Sequence, residues 1–453
     1  QGTPRTANGR SLHRYVQHDV HDFAWPADRN YAEPLLGDWT GPGSPPVKIR
    51  VLYPPEFKAS AAPALKATQE SLTYFSRTLG PYPYRTVTVV IPAHNATEAG
   101  GMEYPTFFTA DSFEKVAPLG MNALLLDFVT IHEFGHGYFY GILASNEFEE
   151  PMLDEGLNEY WDQRMLREAG RRYVIAPEWM RRLGIRPHLG EFELERLGAR
   201  LDDPADGTGA NSWGRLSSSS YGAVYSRTAT VMRDLEAQLG TPAIEKAFKE
   251  YYATWKFRHP SIADLRESLA VSTGRRDVVE RVFAQQVYAT RKVDDRIERF
   301  TSNEVLPLAG FQMEKGKRVD VSEAERDKRI SQQREAWNKA NPKAKPGSGP
   351  FPWRTTVLVR REGATVPQTL VVTFADGTRK TMQWDDDATW KRFVWEGPSK
   401  AVSVQMDPQK LHYLDASKLD DSRTLESDGS AARRWSADFA ALFQALQTFL
   451  VSL

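Results

Sequence analysis

The sequence contains no cysteine, which excludes disulfides, cysteine nucleophiles and thiolate zinc sites. Histidine, aspartate and glutamate remain as the side chains that can bind a metal ion. An excess of one charge sign is also missing, since 58 basic and 59 acidic residues give a formal net charge of -1. Nothing global therefore directs the protein to nucleic acid or to anionic membranes, and any charge specificity must be local.

Internal repeats and an N-terminal signal core are absent as well. The first residues are polar and the chain begins at Gln1, so we expect a processed chain or a piece of a longer one. With 453 residues and 41% hydrophobic content, the chain has the size of about two to four domains with a substantial buried core.

Composition and periodicity divide the chain into four segments. Residues 1–46 are polar and rich in glycine and proline, apart from the apolar patch HDFAWP, and predict an irregular segment. Mixed strand and helix patterns over residues 47–291 predict the largest domain. Period-two alternation predicts a small antiparallel β-sandwich within residues 292–418, with a charged, exposed insertion near residues 314–352.

The fourth segment, residues 419–453, ends in the apolar, helical sequence SADFAALFQALQTFLVSL. It is short and interrupted by polar residues, so the pattern favours a docking helix over a bilayer span. A membrane-proximal helix stays open as the alternative, and with it an expected location at a membrane or the cell envelope. The sequence does not determine the compartment.

The strongest chemical signal is the apolar segment LLLDFVTIHEFGHGYFY, in which His132, Glu133 and His136 form an H-E-x-x-H pattern. Residues four apart lie on one face of an α-helix, so both imidazoles can bind one ion at roughly 2.0–2.1 Å. Glu133 is then beside the water on that ion. The alternative is a buried helix with two ordinary histidines, which would leave ionisable groups unpaired at a cost of roughly several kcal/mol.

A second helical segment, PMLDEGLNEYWDQRM, supplies a third ligand. Glu155 follows His136 after eighteen intervening residues, which lets the first helix end and a neighbouring helix present a carboxylate. The fourth position stays open, as in catalytic zinc sites. Glu159 and Asp162 lie on the same helical face, where either can accept the second N–H of a ligand histidine. Solvated helix charges are the alternative for both.

These motifs resemble those of the aminopeptidase-N-like zinc metallopeptidases, a gluzincin family that includes the leukotriene hydrolases. HEFGH with LDEGLNEY resembles the family's zinc helix pair at the same spacing. GGMEYP, at residues 100–105, is similar to its Gly-x-Met-Glu-Asn exopeptidase motif, and YSRTATVM, from Tyr225, to its Tyr-x-Lys-Gly-Ala segment. Tyr104, Arg227 and Thr228 differ from the family pattern, so details of the substrate pocket do not carry over.

The resemblance implies an α+β multidomain protein with a thermolysin-like, mostly helical catalytic domain before the β-sandwich. It implies one Zn2+ per chain, bound by His132, His136 and Glu155. Glu133 is then the general base, and Tyr225 donates a hydrogen bond to the developing oxyanion. Tyr221, one helical turn before Tyr225, is the competing donor.

The resemblance further implies an aminopeptidase. Glu103 would bind the free α-amino group of a peptide, while Gly100, Gly101 and Met102 allow close approach of the substrate backbone. Three alternatives stay open: a gluzincin endopeptidase, a hydrolase of a small non-peptide substrate, and a non-catalytic peptide-binding module on the same scaffold.

Full-length family members place an N-terminal β domain before the catalytic domain, and many add a C-terminal helical domain. HDFAWP, at residues 21–26, is similar to the last strand region of that first domain, so residues 1–46 are interpreted as its remnant. A missing N-terminal segment or a companion chain is therefore expected to complete the substrate cavity.

Overall fold

A computed structural model describes residues 5–182, 184, 188, 197–198, 206–215, 218–412, 415–427 and 429–451. Contacts divide the chain into two units, Gln1–Thr290 and Arg291–Leu453. Helices and several sheets make up the described residues, which confirms the predicted α+β multidomain character. Residues 183–205, which belong to the predicted domain of residues 47–291, lie mostly outside the described residues.

One four-stranded sheet organises the first unit. The strands of this unit are β1 (Arg5–Ala7), β2 (Arg10–Leu12), β3 (Leu35–Trp39), β4 (Val47–Leu52), β5 (Thr86–Val90) and β6 (Phe107–Thr109). β1 and β2 form a separate hairpin, whereas β3 to β6 are neighbours in chain order. β3 is antiparallel to β4, and β4, β5 and β6 run parallel. Because β3 pairs with β4 along its length, this sheet begins within residues 1–46, for which the composition predicts an irregular segment.

Helices pack on one another around an aromatic core in this unit. They are α1 (Lys58–Thr78), α2 (Met121–His136), α3 (Leu157–Ala169), α4 (Glu178–Arg182), α5 (Ser218–Leu239), α6 (Thr241–Trp255), α7 (Ile262–Thr273) and α8 (Arg276–Val282). Ring contacts run through Phe134, Phe75, Phe139, Trp161 and Phe248, all of which are buried. Burial of each such side chain contributes about 1.5–3 kcal/mol, so this core fixes α2 and α3 against α1 and α6.

Single turns with other hydrogen-bond spacings adjoin several of these helices. Turns of 3-10 helix cover Pro55–Phe57 and His94–Ala99. Wider π-helical turns cover Gly137–Ile142, Met152–Gly156 and Phe283–Val287. The first two π-helical turns directly follow α2 and precede α3, and such turns are frequent at functional sites.

The second unit is built on two antiparallel sheets. Its elements are β7 (Asp295–Glu304), β8 (Gly310–Glu314), β9 (Lys317–Val321), α9 (Glu323–Ala340), β10 (Ser348–Arg361), β11 (Gln368–Phe374), β12 (Arg379–Trp384), β13 (Trp390–Ser399), β14 (Ala401–Met406), β15 (Ser422–Thr424) and α10 (Ser430–Val451). The sheets, ordered β13-β10-β7 and β12-β11-β14-β15, share one apolar cluster that contains Val357, Leu370 and Trp384. This arrangement matches the predicted small sandwich.

Two exposed helices of the second unit modify the sequence-based expectations. The charged insertion near residues 314–352 contains a β8–β9 hairpin and α9, whose Ser322 cap accepts a hydrogen bond from the Glu325 amide at 3.3 Å. α9 buries Ile330 and little else, so it has no apolar face that a periodicity search would detect.

The C-terminal helix α10 exposes large apolar side chains, since Trp435 and Phe439 are each 70% exposed. No helix among the described residues is long and apolar enough to cross a bilayer.

Candidate metal centre

The two helices that carry the metal motif lie unusually close together. His132 and His136 belong to the last turns of α2, and Glu155 lies in the π-helical turn before α3. A Cβ at Gly135 would lie 1.9 Å from Asn158 Oδ1, so only glycine allows this approach. Asn158 Nδ2 donates to the His132 carbonyl oxygen at 2.7 Å. The glycine of HEFGH therefore sets the distance between the ligand-bearing elements.

Three potential ligand atoms face one another at this junction. His132 Nε2 lies 3.0 Å from His136 Nε2, and Glu155 Oε2 lies 3.2 Å from the first nitrogen and 3.3 Å from the second. Ligand atoms of a tetrahedral ion with bonds of roughly 2.0–2.1 Å are separated by about 3.3 Å. The triangle has the size of one face of a zinc coordination tetrahedron.

Carboxylates orient both imidazoles from behind. With its proton assigned to Nδ1, His132 donates to Asp162 Oδ2 at 2.8 Å, and His136 donates to Asp154. Glu159 Oε2 is 3.5 Å from His132 Nδ1, so Asp162 is the nearer of the two acceptors suggested by the sequence. Both Nε2 atoms then direct lone pairs at the same point, an arrangement that suits a bound cation.

The electrostatic balance of the cluster also fits a dication. Burial acts to lower the pKa of His132 and of His136, but neighbouring carboxylates outweigh it and raise both values well above the ordinary one. Burial acts to raise the pKa of Glu155, yet the two histidines hold it well below its usual range. Without metal the cluster holds protons that a bound metal would displace. Two imidazoles and one carboxylate form a typical catalytic donor set for Zn2+.

Glu133 faces the same space as the ligand triangle. It can bring an oxygen within 4.8 Å of both imidazoles, but Glu155 is nearer and is the better third ligand. Glu133 Oε2 is buried and has no hydrogen-bond partner among the described residues. Burial raises the pKa of Glu133 to about 7, while His136 and His132 oppose the shift. A buried carboxylate with a free oxygen and a near-neutral pKa is suited to general-base chemistry.

The GGMEY segment forms an extra edge beside β6. The Gly101 amide donates to the Thr109 carbonyl at 3.0 Å, and the Thr109 amide donates to the Met102 carbonyl at 2.9 Å. Gly101 has a φ of 73°, and a Cβ at this position would lie 3.6 Å from Glu133 Oε1. Gly100 precedes this contact and is partly buried. The backbone of this segment therefore lies directly opposite the candidate base.

Glu103 lies on the ligand side of that edge. One carboxylate oxygen lies within 4.8 Å of potential ligand atoms of His136 and Asp154. Burial raises the pKa of Glu103, His136 opposes the shift and Glu155 adds to it. Glu103 thus adds a further partly buried carboxylate to the cluster.

Tyr225, on α5, also reaches the cluster. Its hydroxyl donates to Glu155 Oε1 at 2.5 Å, and its ring lies 6.0 Å from that of His132. Burial and then Glu155 raise the pKa of Tyr225 far above its ordinary value, so the phenol keeps its proton. Tyr221 contacts Tyr225 edge-on, with ring centroids 6.0 Å apart, and its pKa is raised to about 12 by burial and Glu155. Both candidate tyrosines therefore lie near the site, and Tyr225 contacts a ligand directly.

The two departures from the family motif after Tyr225 have structural roles. Arg227 and Thr228 are both fully buried. Arg227 donates through Nε to the Gln286 carbonyl at 3.4 Å and through Nη2 to the Ala289 carbonyl at 3.5 Å. These contacts link α5 to the segment after α8.

Asp154 is a site residue that the sequence analysis missed. It directly precedes Glu155, and successive residues of a regular α-helix point about 100° apart, so two adjacent acids are not expected to serve one cluster. The π-helical turn Met152–Gly156 changes that spacing. The trace in the sequence is a second acid directly before Glu155, which helical spacing alone does not assign to the cluster.

No protein-family model and no curated protein matches the chain. Among solved structures, it is similar to Legionella pneumophila aminopeptidase A in complex with aspartic acid, with a TM-score of 0.54 and 13% identity over 85% of this chain and 38% of that one. An M1 zinc metallopeptidase mutant from Deinococcus radiodurans gives a TM-score of 0.41 and 15% identity over 56% of this chain and 51% of that one. The chain therefore spans well under two thirds of either protein, and the first likeness shows a shared fold over the matched part of that structure.

Proposed function

We propose that this chain is a zinc-dependent aminopeptidase that releases N-terminal residues from peptides. One observation carries the proposal: the ligand triangle is flanked by Glu133, with a free buried oxygen, and by Glu103, on the side of His136. The Glu133 carboxylate is suited to accept a proton from water, and the Glu103 carboxylate is suited to bind an ammonium group. The fold shared with Legionella pneumophila aminopeptidase A supports the same reaction class.

His132, His136 and Glu155 would hold the zinc ion. When bound, zinc supplies Lewis acidity that activates water and the peptide carbonyl. Glu133 accepts the proton of the attacking water and later returns it to the leaving amine. The Tyr225 phenol stays protonated at neutral pH and donates a hydrogen bond to the oxyanion of the tetrahedral state.

Glu103 sets the register of the peptide. Its carboxylate pairs with the terminal ammonium, and Gly101, which has no side chain and lies opposite Glu133, leaves room for an extended peptide. An acetylated peptide brings no charge to this buried carboxylate and leaves it unpaired. The scissile bond is therefore the first one, and one residue leaves in each event.

We also propose that the first unit has a thermolysin-like, gluzincin arrangement. A segment outside this chain or a companion chain would complete the substrate cavity, since this chain covers 38% of the Legionella protein. Location at the cell envelope and membrane proximity of α10 stay predictions. An endopeptidase, a small-substrate hydrolase and a binding module remain the competing functions.

The deciding experiment measures zinc content and the cleavage of matched peptides with free and acetylated N-termini. We expect about one zinc per chain, cleavage of the free peptide alone, and a loss of about 10²–10⁴-fold in kcat for Glu133→Gln, which still binds zinc. Cleavage of both peptides would point to an endopeptidase. Bound zinc without any cleavage would contradict catalysis by this chain alone.

Glu103→Ala separates the two roles. It should lower kcat/KM for the free peptide by about 10²-fold or more, because it removes a charge-assisted pair with the ammonium. Zinc content should not change, since Glu103 is not one of the three ligands. Equal losses on the free peptide and on any slowly cleaved acetylated peptide would rule out the amine-anchor role.

A further inference from the structure

A cavity begins one helical turn after the ligand His136. It has a volume of about 550 Å³ and is lined by Tyr140, by residues 144–148, by Glu150, by residues 259–261 and by His21. Tyr140 forms one wall and follows His136 by four residues, through the π-helical turn Gly137–Ile142, so it continues the face of α2 that carries the ligands. We call this cavity the side pocket.

Backbone hydrogen bonds hold the walls of the side pocket in place. The Phe257 amide donates to the Ile142 carbonyl at 2.6 Å, and the His259 amide donates to the Leu143 carbonyl at 3.3 Å. His259 Nδ1 also donates to the Ala144 carbonyl at 2.8 Å. The pocket is therefore preformed, and a ligand would not have to order its walls.

The two carboxylates that line the side pocket, Glu147 and Glu150, differ in their hydrogen-bond partners. Glu150 Oε2 accepts a hydrogen bond from the Ile262 amide at 3.1 Å and so caps the start of α7. Glu147 accepts no backbone amide among the described residues, and no lysine or arginine is among the described residues that line the pocket. Burial lowers the pKa of His21, so this lining histidine adds no positive charge at neutral pH. Glu147, whose side chain hydrogen-bonds Tyr140, is therefore the carboxylate of the pocket that is available as a counter-charge.

The side pocket and the metal centre share a wall. Tyr140 is affected by charges of both, since its pKa is raised by burial, then by Glu147 and then by Asp154. Tyr140 therefore places the side pocket, with its Glu147 carboxylate, beside the helix that carries the ligand histidines.

Aromatic surfaces complement the charge. The Tyr140 and His21 rings lie 4.1 Å apart, and the Phe148 ring is 60% exposed at the rim. Such faces accept the aliphatic stem of a lysine or the plane of a guanidinium group. An acidic group among aromatic rings favours long cationic side chains over small or acidic ones.

We propose that the side pocket binds the side chain of a lysine or arginine at the N-terminus of the peptide substrate, with Glu147 as its counter-charge. This inference rests on the proposed aminopeptidase function and adds its substrate class. It makes Glu147 a specificity-determining residue, separate from the residues that would carry out hydrolysis.

The test compares N-terminal lysine with norleucine, which has the same carbon chain without the amine. The wild type should show at least a 10-fold higher kcat/KM for the lysine anilide. Glu147→Gln should reduce the lysine-to-norleucine ratio by about 10-fold, Glu147→Asp should keep most of it, and Glu149→Gln should keep all of it as an exposed neighbouring acid. An unchanged ratio in Glu147→Gln would overturn the inference.

A binding measurement separates this inference from the proposed function. Zinc-loaded Glu133→Gln should bind lysinamide at least 10-fold more tightly than norleucinamide in calorimetry, and adding Glu147→Gln should remove the difference. Selective binding without turnover by the wild type would sink the proposed function but support the pocket. Turnover together with equal binding of the two amides would support the proposed function and overturn the side-pocket inference.

Discussion

Each unit contains a buried cluster of carboxylates, and the two clusters are neutralised differently. In the second unit, Lys418 Nζ lies 3.5 Å from Asp407, 3.3 Å from Asp415 and 3.6 Å from Asp421. The lysine also donates to the His412 carbonyl at 2.9 Å. This cluster carries its own cation, as expected of a structural network.

The metal-centre cluster has no such cation. Among the described residues, the side-chain contacts of Asp154, Glu155 and Asp162 are to histidine and tyrosine, with no lysine or arginine. Glu133 adds a further carboxylate with an oxygen that has no partner there. The comparison teaches that a functional site differs from a structural network in its counter-charge, since the metal centre relies on histidine protons that an ion can displace, whereas Lys418 is a permanent cation.

The largest expected effect comes from His136→Ala. The substitution removes a ligand and leaves Asp154 without its histidine, so zinc should fall from about one ion per chain to near zero. Peptide hydrolysis should fall by at least about 10⁴-fold, because the Lewis acid is lost. Metal analysis and peptide assays check both. His18→Ala, at an exposed position, is the control, and retained zinc in His136→Ala would contradict the ligand assignment.

Lys418→Met tests the other cluster. It leaves three aspartates without a cation and should lower the free energy of unfolding by about 3 kcal/mol, at the lower end for buried pairs because a quarter of the side chain is exposed. Zinc content should stay the same. Lys400→Met is the matched control, since its partner Glu426 is 87% exposed and such pairs contribute about 0–1 kcal/mol. Equal urea-unfolding midpoints for the two variants would show that Lys418 is not the counter-charge.

Asp154→Asn should have a smaller effect on the metal centre. Asparagine can still accept the Nδ1 proton of His136 but lacks the charge that makes the imidazole a better ligand. Zinc affinity should fall about 10–100-fold, or about 1.4–2.7 kcal/mol, in competition with a chelator. Glu149→Gln, an exposed acid in the same unit, should leave affinity unchanged. An unaltered affinity in Asp154→Asn would mean that Asp154 does not orient His136.

The same comparison explains which features the sequence could predict. His132 and His136 were identifiable because their spacing is a local helical property, and local geometry needs no knowledge of the rest of the chain. The β-sandwich strands were identifiable because one face is buried in a shared core, which gives a period of two. The α+β multidomain character follows from these two patterns.

Features that depend on tertiary packing were not predictable. The π-helical turn that brings Asp154 to His136 has no period of its own, and α9 buries too little to show one. The side pocket joins Glu147 to His259, which are distant in sequence, through backbone hydrogen bonds that no motif records. Residue types and spacing indicate a chemistry, whereas the partners that tune it come from contacts between separate segments.

A further expected effect is a pH dependence in the Lys418 cluster. Burial, followed by Asp415, raises the pKa of Asp421 to about 8. Between its ordinary pKa of about 4 and this value, the folded state holds a proton that the unfolded state has lost. The folded state therefore binds more protons in this window, so the free energy of unfolding should fall as the pH rises through it. Stability is retained below about pH 4, where both states are protonated.

Asp421→Asn isolates this contribution, because its amide resembles the protonated acid and does not titrate. Urea-unfolding midpoints measured from pH 4 to pH 8 should fall more steeply in the wild type than in Asp421→Asn, and the difference cancels titration at the metal centre. Glu426→Gln, an exposed acid in the same unit, should follow the wild type. Parallel curves for the wild type and Asp421→Asn would mean that Lys418 neutralises all three aspartates, which would make the contrast with the metal centre sharper still.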